Sequence, residues 1–239
     1  MTALSLTDTI RWTELLLGWA LLLASLEHLW LARRHADQAA LGLFALRLVL
    51  AALLLAGLVA PFACLGLLIL GVILLSRFDG PYNGGSDRMG LLVLTCLTLV
   101  HGLALAGAPQ WQPLIVGYLA LQLVLSYAIS GWVKIKNPDW RSGAALRDVF
   151  RFSAYPLSQA TRRWADRPVL LAIMAWAVMV FELLFPLSLV SSDWLLIALI
   201  LAALFHLANA WLFGLNRFFW VWLAAYPALI WFQGRFVGL

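Results

Sequence analysis

The chain has 239 residues, 64% of them hydrophobic and 11% charged, with a mean hydropathy of +0.94 and a formal charge of +5. A water-soluble domain of this length does not tolerate such a composition, so the chain reads as all-α and polytopic, with the lipid bilayer as its first partner. The positive charge reads as membrane topology and contact with an anionic leaflet, which excludes nucleic acid as an expected partner.

In chain order the apolar runs predict eight transmembrane helices, at 10–32, 41–60, 62–77, 89–107, 113–134, 168–190, 194–214 and 217–234. A hydrocarbon core of ~30 Å takes about 20 helical residues, and these spans fill the chain, so residues 1–239 read as one transmembrane domain. The opening "MTALSLTDTIRW" carries Asp8 and lacks a basic leader and a small-residue cleavage site, so the first span is expected to be retained. At Pro61 the pattern is open: two spans, one long kinked helix, or a re-entrant pair.

The cationic residues test this count. With eight spans, Arg33, Arg34, Arg77, Arg88, Lys134, Lys136, Arg141, Arg147, Arg151, Arg162, Arg163, Arg167 and Arg217 share one side, and Arg11 and Arg235 the other. The asymmetry predicts a multi-pass protein of the bacterial inner membrane with cytoplasmic basic loops and both termini outside. Trp12, Trp30, Trp111, Trp140, Trp164, Trp194 and Trp231 fall near span ends, as in an interfacial aromatic belt. Residues 137–167 interleave Leu146, Val149, Phe150 and Phe152 with basic residues, the pattern of an interfacial amphipathic segment. It reads as a surface anchor or as a lid over a cytoplasmic-facing site.

Charges inside a span each need a partner or a purpose. Glu27, His28 and Arg47 fall at one depth, and an ion pair between Glu27 and Arg47 is expected. His206 and Asn209, three residues apart, share a helix face and, with Lys134 and His28, outline a polar pocket. Glu182 and His101 are placed deeper and are expected to pair across helices, with Pro186 bending the chain beside them. In the loop "RFDGPYNGGSDRM", Asn83, Ser86 and Arg88 flank glycines whose backbone amides can cradle an anion, although such a loop also simply reverses the chain. Cys64 and Cys96 lie on different spans without a CxxC or a Cys/His cluster, so neither a disulfide nor a metal site is expected.

One stretch carries a resemblance. In "YAISGWVKIKNPDWRSG" the succession Tyr127, Ser130, Gly131, Lys134, Ile135, Trp140 and Gly143 resembles the transmembrane domain of vitamin K-dependent gamma-carboxylases, which is shared by the bacterial HTTM (horizontally transferred transmembrane) proteins. The Glu and Pro of "FELLFPLSLV" and the His of "FHLANAWLFGLNRFFW" are similar to later family features. The resemblance implies a lysine base at Lys134 that deprotonates a quinone-type substrate, with His206 and Glu182 as further catalytic groups. It also implies a quinone or hydroquinone as cofactor, with His28, Asn209 and Trp132 beside it. A lysine is a base near neutral pH only where burial or nearby positive charge disfavours its ammonium form.

Where the family has a histidine, this chain has Gly85. No soluble C-terminal region follows, and the charge rule puts Lys134 on the cytoplasmic side, so peptide gamma-carboxylation is not the expected activity. The leading expectation is an enzyme acting on a quinone or another lipid-soluble small molecule. The alternatives are a non-catalytic maturation or assembly protein with a membrane or peptide partner, and a quinone-coupled redox protein resembling the DoxX type.

Overall fold

In the computed structural model, residues 4–77, 85–153 and 157–236 are described. They form helices and connecting turns, with no strand among them. The long helices are α1 (Leu6–Arg34), α2 (Gln38–Ala56), α3 (Ala60–Arg77), α4 (Gly85–Leu105), α5 (Gln112–Lys136), α9 (Pro168–Leu184) and α10 (Ser192–Phe213). Between α5 and α9 lie the short helices α6 (Pro138–Ser142), α7 (Ala144–Phe152) and α8 (Gln159–Arg162), and the chain closes with α11 (Asn216–Leu223) and α12 (Tyr226–Phe236). Among the described residues six segments are long and apolar enough to cross a membrane: α1, α2, α4, α5 with the turn before it, α9 with the 3-10 turn Phe185–Leu189, and α10.

The third and the eighth expected spans account for the difference from eight. Helix α3 is apolar but shorter, and the run at 217–234 is broken into α11 and α12. The cause of the break is Pro227, which has no N–H to donate and whose ring collides with the carbonyl four residues back, at Leu223, where α11 ends. At Pro61 the open question resolves into two helices: α2 stops at Gly57 (φ 72°), Val59 takes φ 47°, and α3 restarts at Ala60 with Pro61 in its first turn.

The helices are apolar on both faces, as lipid demands. On α5, Val116, Leu119, Leu123 and Tyr127 are buried, while Leu114, Leu121, Leu125 and Ile129 are exposed on the opposite stripe. In water that second stripe would be an aggregation surface; in a bilayer it faces acyl chains. Trp12, Trp30, Trp111 and Trp194 are likewise more than half exposed, whereas Trp231 is buried.

Two compact units divide the chain: Met1–Ala120 with Arg217–Phe236, and Leu121–Asn216. In the first, α1 packs on α2, α4 and α12, and α3 packs between α2 and α4. Arg11 donates to the carbonyls of Leu54, which the capping Gly57 N–H also reaches, and Leu55 at the end of α2, and its guanidinium also meets Glu14 at 2.8 Å. His101 Nε2 lies 2.7 Å from the other Glu14 oxygen. His101 therefore pairs with Glu14 and not with Glu182; Glu14, three residues after Arg11 in the first span, is the intramembrane carboxylate that sequence reasoning passed over. Cys64 and Cys96 are free and buried.

In the second unit the segment after α5 does not leave the bundle. Gly143, at φ 80°, turns the chain so closely along α9 that a Cβ there would lie 2.7 Å from the Ala172 amide nitrogen. Trp176 Nε1 donates to the Arg141 carbonyl from the same side. Helix α7 then lays Phe150 into a cluster with Leu157, Ala165, Leu171 and Phe213, while Val149 and Phe152 stay exposed. The amphipathic segment thus spends its better apolar face on the protein. Pro156 lies outside the described residues.

Phe150→Ala should cost about 3–5 kcal/mol of local packing. The expected outcome is faster tryptic cleavage at Arg147, Arg151 and Arg162 in detergent, measured by limited proteolysis, with little change at Arg33 and Arg34.

Candidate functional site

Residues from α5, α6, α9 and α10 meet around Lys134, all within the second unit. Helix α5 can approach α9 because Gly131 has no side chain: a Cβ there would lie 2.8 Å from the Leu183 nitrogen and 3.0 Å from the Glu182 Cβ. One turn on, Lys134 Nζ donates to both Glu182 oxygens and to Ser130 Oγ, each at 2.6 Å. Ser130 in turn donates to Glu182 Oε1 at 3.2 Å. The three N–H donors of the ammonium are matched to three oxygens. Trp140, carried on α6, places its ring centroid 5.2 Å from Nζ, within cation–π reach.

Two turns before Lys134, Tyr127 is buried and its hydroxyl lies 2.7 Å from His206 Nε2 on α10. Its ring stacks on Phe185 at 4.0 Å and meets Phe181 edge-on at 5.7 Å. Phe185 opens the 3-10 turn that holds Pro186, so the expected bend beside Glu182 is what supplies the stacking partner. The charge on Lys134 also acts on the His206 ring.

On the α9–α10 face of the same unit is an apolar cleft of about 930 Å³, lined by Trp176, Phe181, Phe185, Ser188, Trp194 and Leu201 among others. Phe181 and Phe185 form one of its walls with one side of their rings and hold Tyr127 with the other. Ser188 is 1% exposed, and its hydroxyl has no hydrogen-bond partner among the described residues.

The sequence profile of the HTTM domain matches residues 101–233, more than half of the chain. The chain belongs to the HTTM family. No curated relative and no solved structure matches it. The match takes in all of the Lys134 centre, and six of the seven residues that carried the resemblance, Tyr127, Ser130, Gly131, Lys134, Trp140 and Gly143 but not Ile135, make the contacts described above.

Of the residues singled out in this HTTM chain, Lys134 and Glu182 are in contact, His206 joins the same unit through Tyr127, and the others lie apart. Trp132 is exposed with the Lys136 ammonium 4.4 Å above its ring, because two residues on a helix are about 200° apart; Trp140 holds the place beside Lys134. Asn209 lies on the face of His206, but what it supplies is its backbone carbonyl, which accepts from Gly214 and Leu215 at the end of α10. His28 lies in the first unit, stacked on Phe44 and 3.3 Å from an Arg47 nitrogen. Arg47 bonds Ser25 and His28 rather than Glu27, which is exposed. Residues 25 and 28 share a helix face, and 27 does not. Ser86 is buried and Arg88 exposed, both on α4; Asn83 lies outside the described residues.

Gly131→Ala should force α5 away from α9. A drop in thermal stability in detergent of several degrees, read by differential scanning fluorimetry, is the expected outcome, with Gly102→Ala, where an added Cβ meets nothing within 4 Å, as the silent control.

Proposed function

We propose that this HTTM protein is an inner-membrane enzyme acting on a quinone or another lipid-soluble substrate, with Lys134 and Glu182 as its proton-handling pair. The observation that carries the reading is the lysine held by a buried carboxylate and a serine inside a membrane-spanning bundle. In a medium of low dielectric an ion pair gains little over its neutral form, so a proton can pass from Nζ to Glu182 within an existing hydrogen bond. The amine left behind accepts a proton, and Lys134 keeps 17% of its side-chain surface open for a donor to approach.

The apolar cleft suits the ring and chain of such a substrate, and the buried, unpartnered Ser188 hydroxyl offers a polar contact within it. A hydroquinone would supply an acidic hydroxyl to be deprotonated. Tyr127 and His206 orient each other behind the Phe181–Phe185 wall, and Glu182 holds the proton that Lys134 gives up. Cytoplasmic basic loops, with both termini outside, complete the proposed topology.

A second reading has its own support. All three ammonium donors of Lys134 are already matched, as in a structural clamp, which fits a non-catalytic maturation or assembly partner.

The two readings separate on conservative variants. Arginine keeps its proton, so Lys134→Arg should abolish hydroquinone turnover in nanodiscs by a factor of 100 or more, as about 10²–10⁴-fold is typical of a general base. Turnover at the wild-type rate would leave the clamp. Mass spectrometry of quinones retained after purification gives the binding side. Wild type should hold a near-stoichiometric quinone that Lys134→Ala and His206→Ala lose; identical retention in all three defeats the enzyme reading. Glu182→Gln should lose turnover and about 3–5 kcal/mol of stability, since it strands a buried ammonium; the stability is read by chemical unfolding.

A further inference from the structure

The first unit contains a second cavity that the Lys134 chemistry does not use. It has a volume of about 300 Å³ and lies among α1, α2, α3, α4 and α11. Its lining divides sharply by chemistry. His28, Arg47, Ser86, Asp87 and Arg217 make one part, and the remainder is leucine, valine, phenylalanine and glycine. Such a division suits an amphiphile, with a polar head on the charged residues and a chain against the leucines.

The charges decide the sign of the head. Arg217 Nη1 is 3.2 Å from Asp87 Oδ1, so one guanidinium is matched by the one carboxylate of the lining. Arg47 is left over. It is 7% exposed, donates from Nε to Ser25 at 2.8 Å and reaches His28 through Nη2 at 3.3 Å; its Nη1 makes no hydrogen bond among the described residues. No carboxylate comes within salt-bridge distance of it there; Arg217 repels it, and Asp87 and Glu27 attract it only from farther away. A guanidinium buried in a spanning bundle with no carboxylate in contact is costly, and an anion bound beside it offsets that cost.

Size limits the rest of the ligand. At about 30 Å³ for a water-sized group, the cavity takes roughly ten such groups. That accommodates a carboxylate or a phosphate with a single short length of chain, and leaves no room for a two-chain phospholipid. We infer that the first unit binds a single-chain anionic amphiphile, its carboxylate or phosphate on Arg47 and its chain among Leu67, Leu74, Leu91 and Leu94. This site does not depend on the reading given to Lys134, and all but Arg217 and Val221 of its lining lies outside the HTTM match.

Photolabelling tests it. Full-length protein in nanodiscs of zwitterionic lipid is irradiated with an octanoate bearing a diazirine on its chain, and labelled peptides are mapped by mass spectrometry. Wild type should be labelled saturably on α3 and α4, with competition by unlabelled octanoate or by hexyl phosphate showing which head is preferred. Arg47→Gln should weaken labelling about tenfold or more, as loss of a charge-assisted hydrogen bond requires. Asp87→Asn removes the competing negative charge and should strengthen it severalfold, so a change in the opposite direction separates the site from a general loss of folding. The inference is overturned if labelling is unsaturable, if both variants move it the same way, or if the diazirine analogue of octanol labels α3 and α4 equally well.

Discussion

The missing side chain of Gly131 is the constraint from which the Lys134 centre follows. Helices in lipid gain little from burying apolar surface against one another, because the surrounding chains are just as apolar, so close contact and polar pairing have to hold them. At Gly131 the α5 backbone comes within reach of the α9 backbone, and only at that separation do Ser130 and Lys134 meet Glu182 with hydrogen bonds of 2.6–3.2 Å. The same approach carries Tyr127 onto Phe185 and His206. A looser contact would leave a lysine and a glutamate stranded in hydrocarbon.

The spans were legible in the sequence because a run of about 20 apolar residues has few other uses, and predicted and observed ends agree within a few residues. The identities of the polar partners were legible only where a motif fixed them. Depth alone matched Glu27 to Arg47, but helical angle turns Glu27 outward and brings Ser25 and His28 round. Depth likewise sent Glu182 to His101. The structure instead has Gly143 return the chain along α9, and Lys134 reaches Glu182. The fall of residues 137–143 against α9 follows from a backbone conformation that composition does not encode.

Polar chemistry in this protein is concentrated in places that serve different ends. Arg11, Glu14 and His101 tie α1, α2 and α4 together at the carbonyls that end α2. The Lys134 group does the same for α5, α9 and α10 with a surplus of proton-transfer capacity. Around Arg47 the balance is different, since buried positive charge exceeds the negative charge that faces it.

The glycines also set which lesions in this chain can be repaired by a second mutation. At Gly71 an added methyl meets only the tip of Leu91, so trimming that leucine restores the space. At Gly131 the nearest atom is the backbone nitrogen of Leu183, which no exchange of side chain removes. Gly143 is defended twice, by the nearness of Ala172 and by its own left-handed φ, and relieving either burden leaves the other. A genetic screen for suppressors would therefore find local ones for the first position, only distant helix-shifting ones for the second, and reversion for the third.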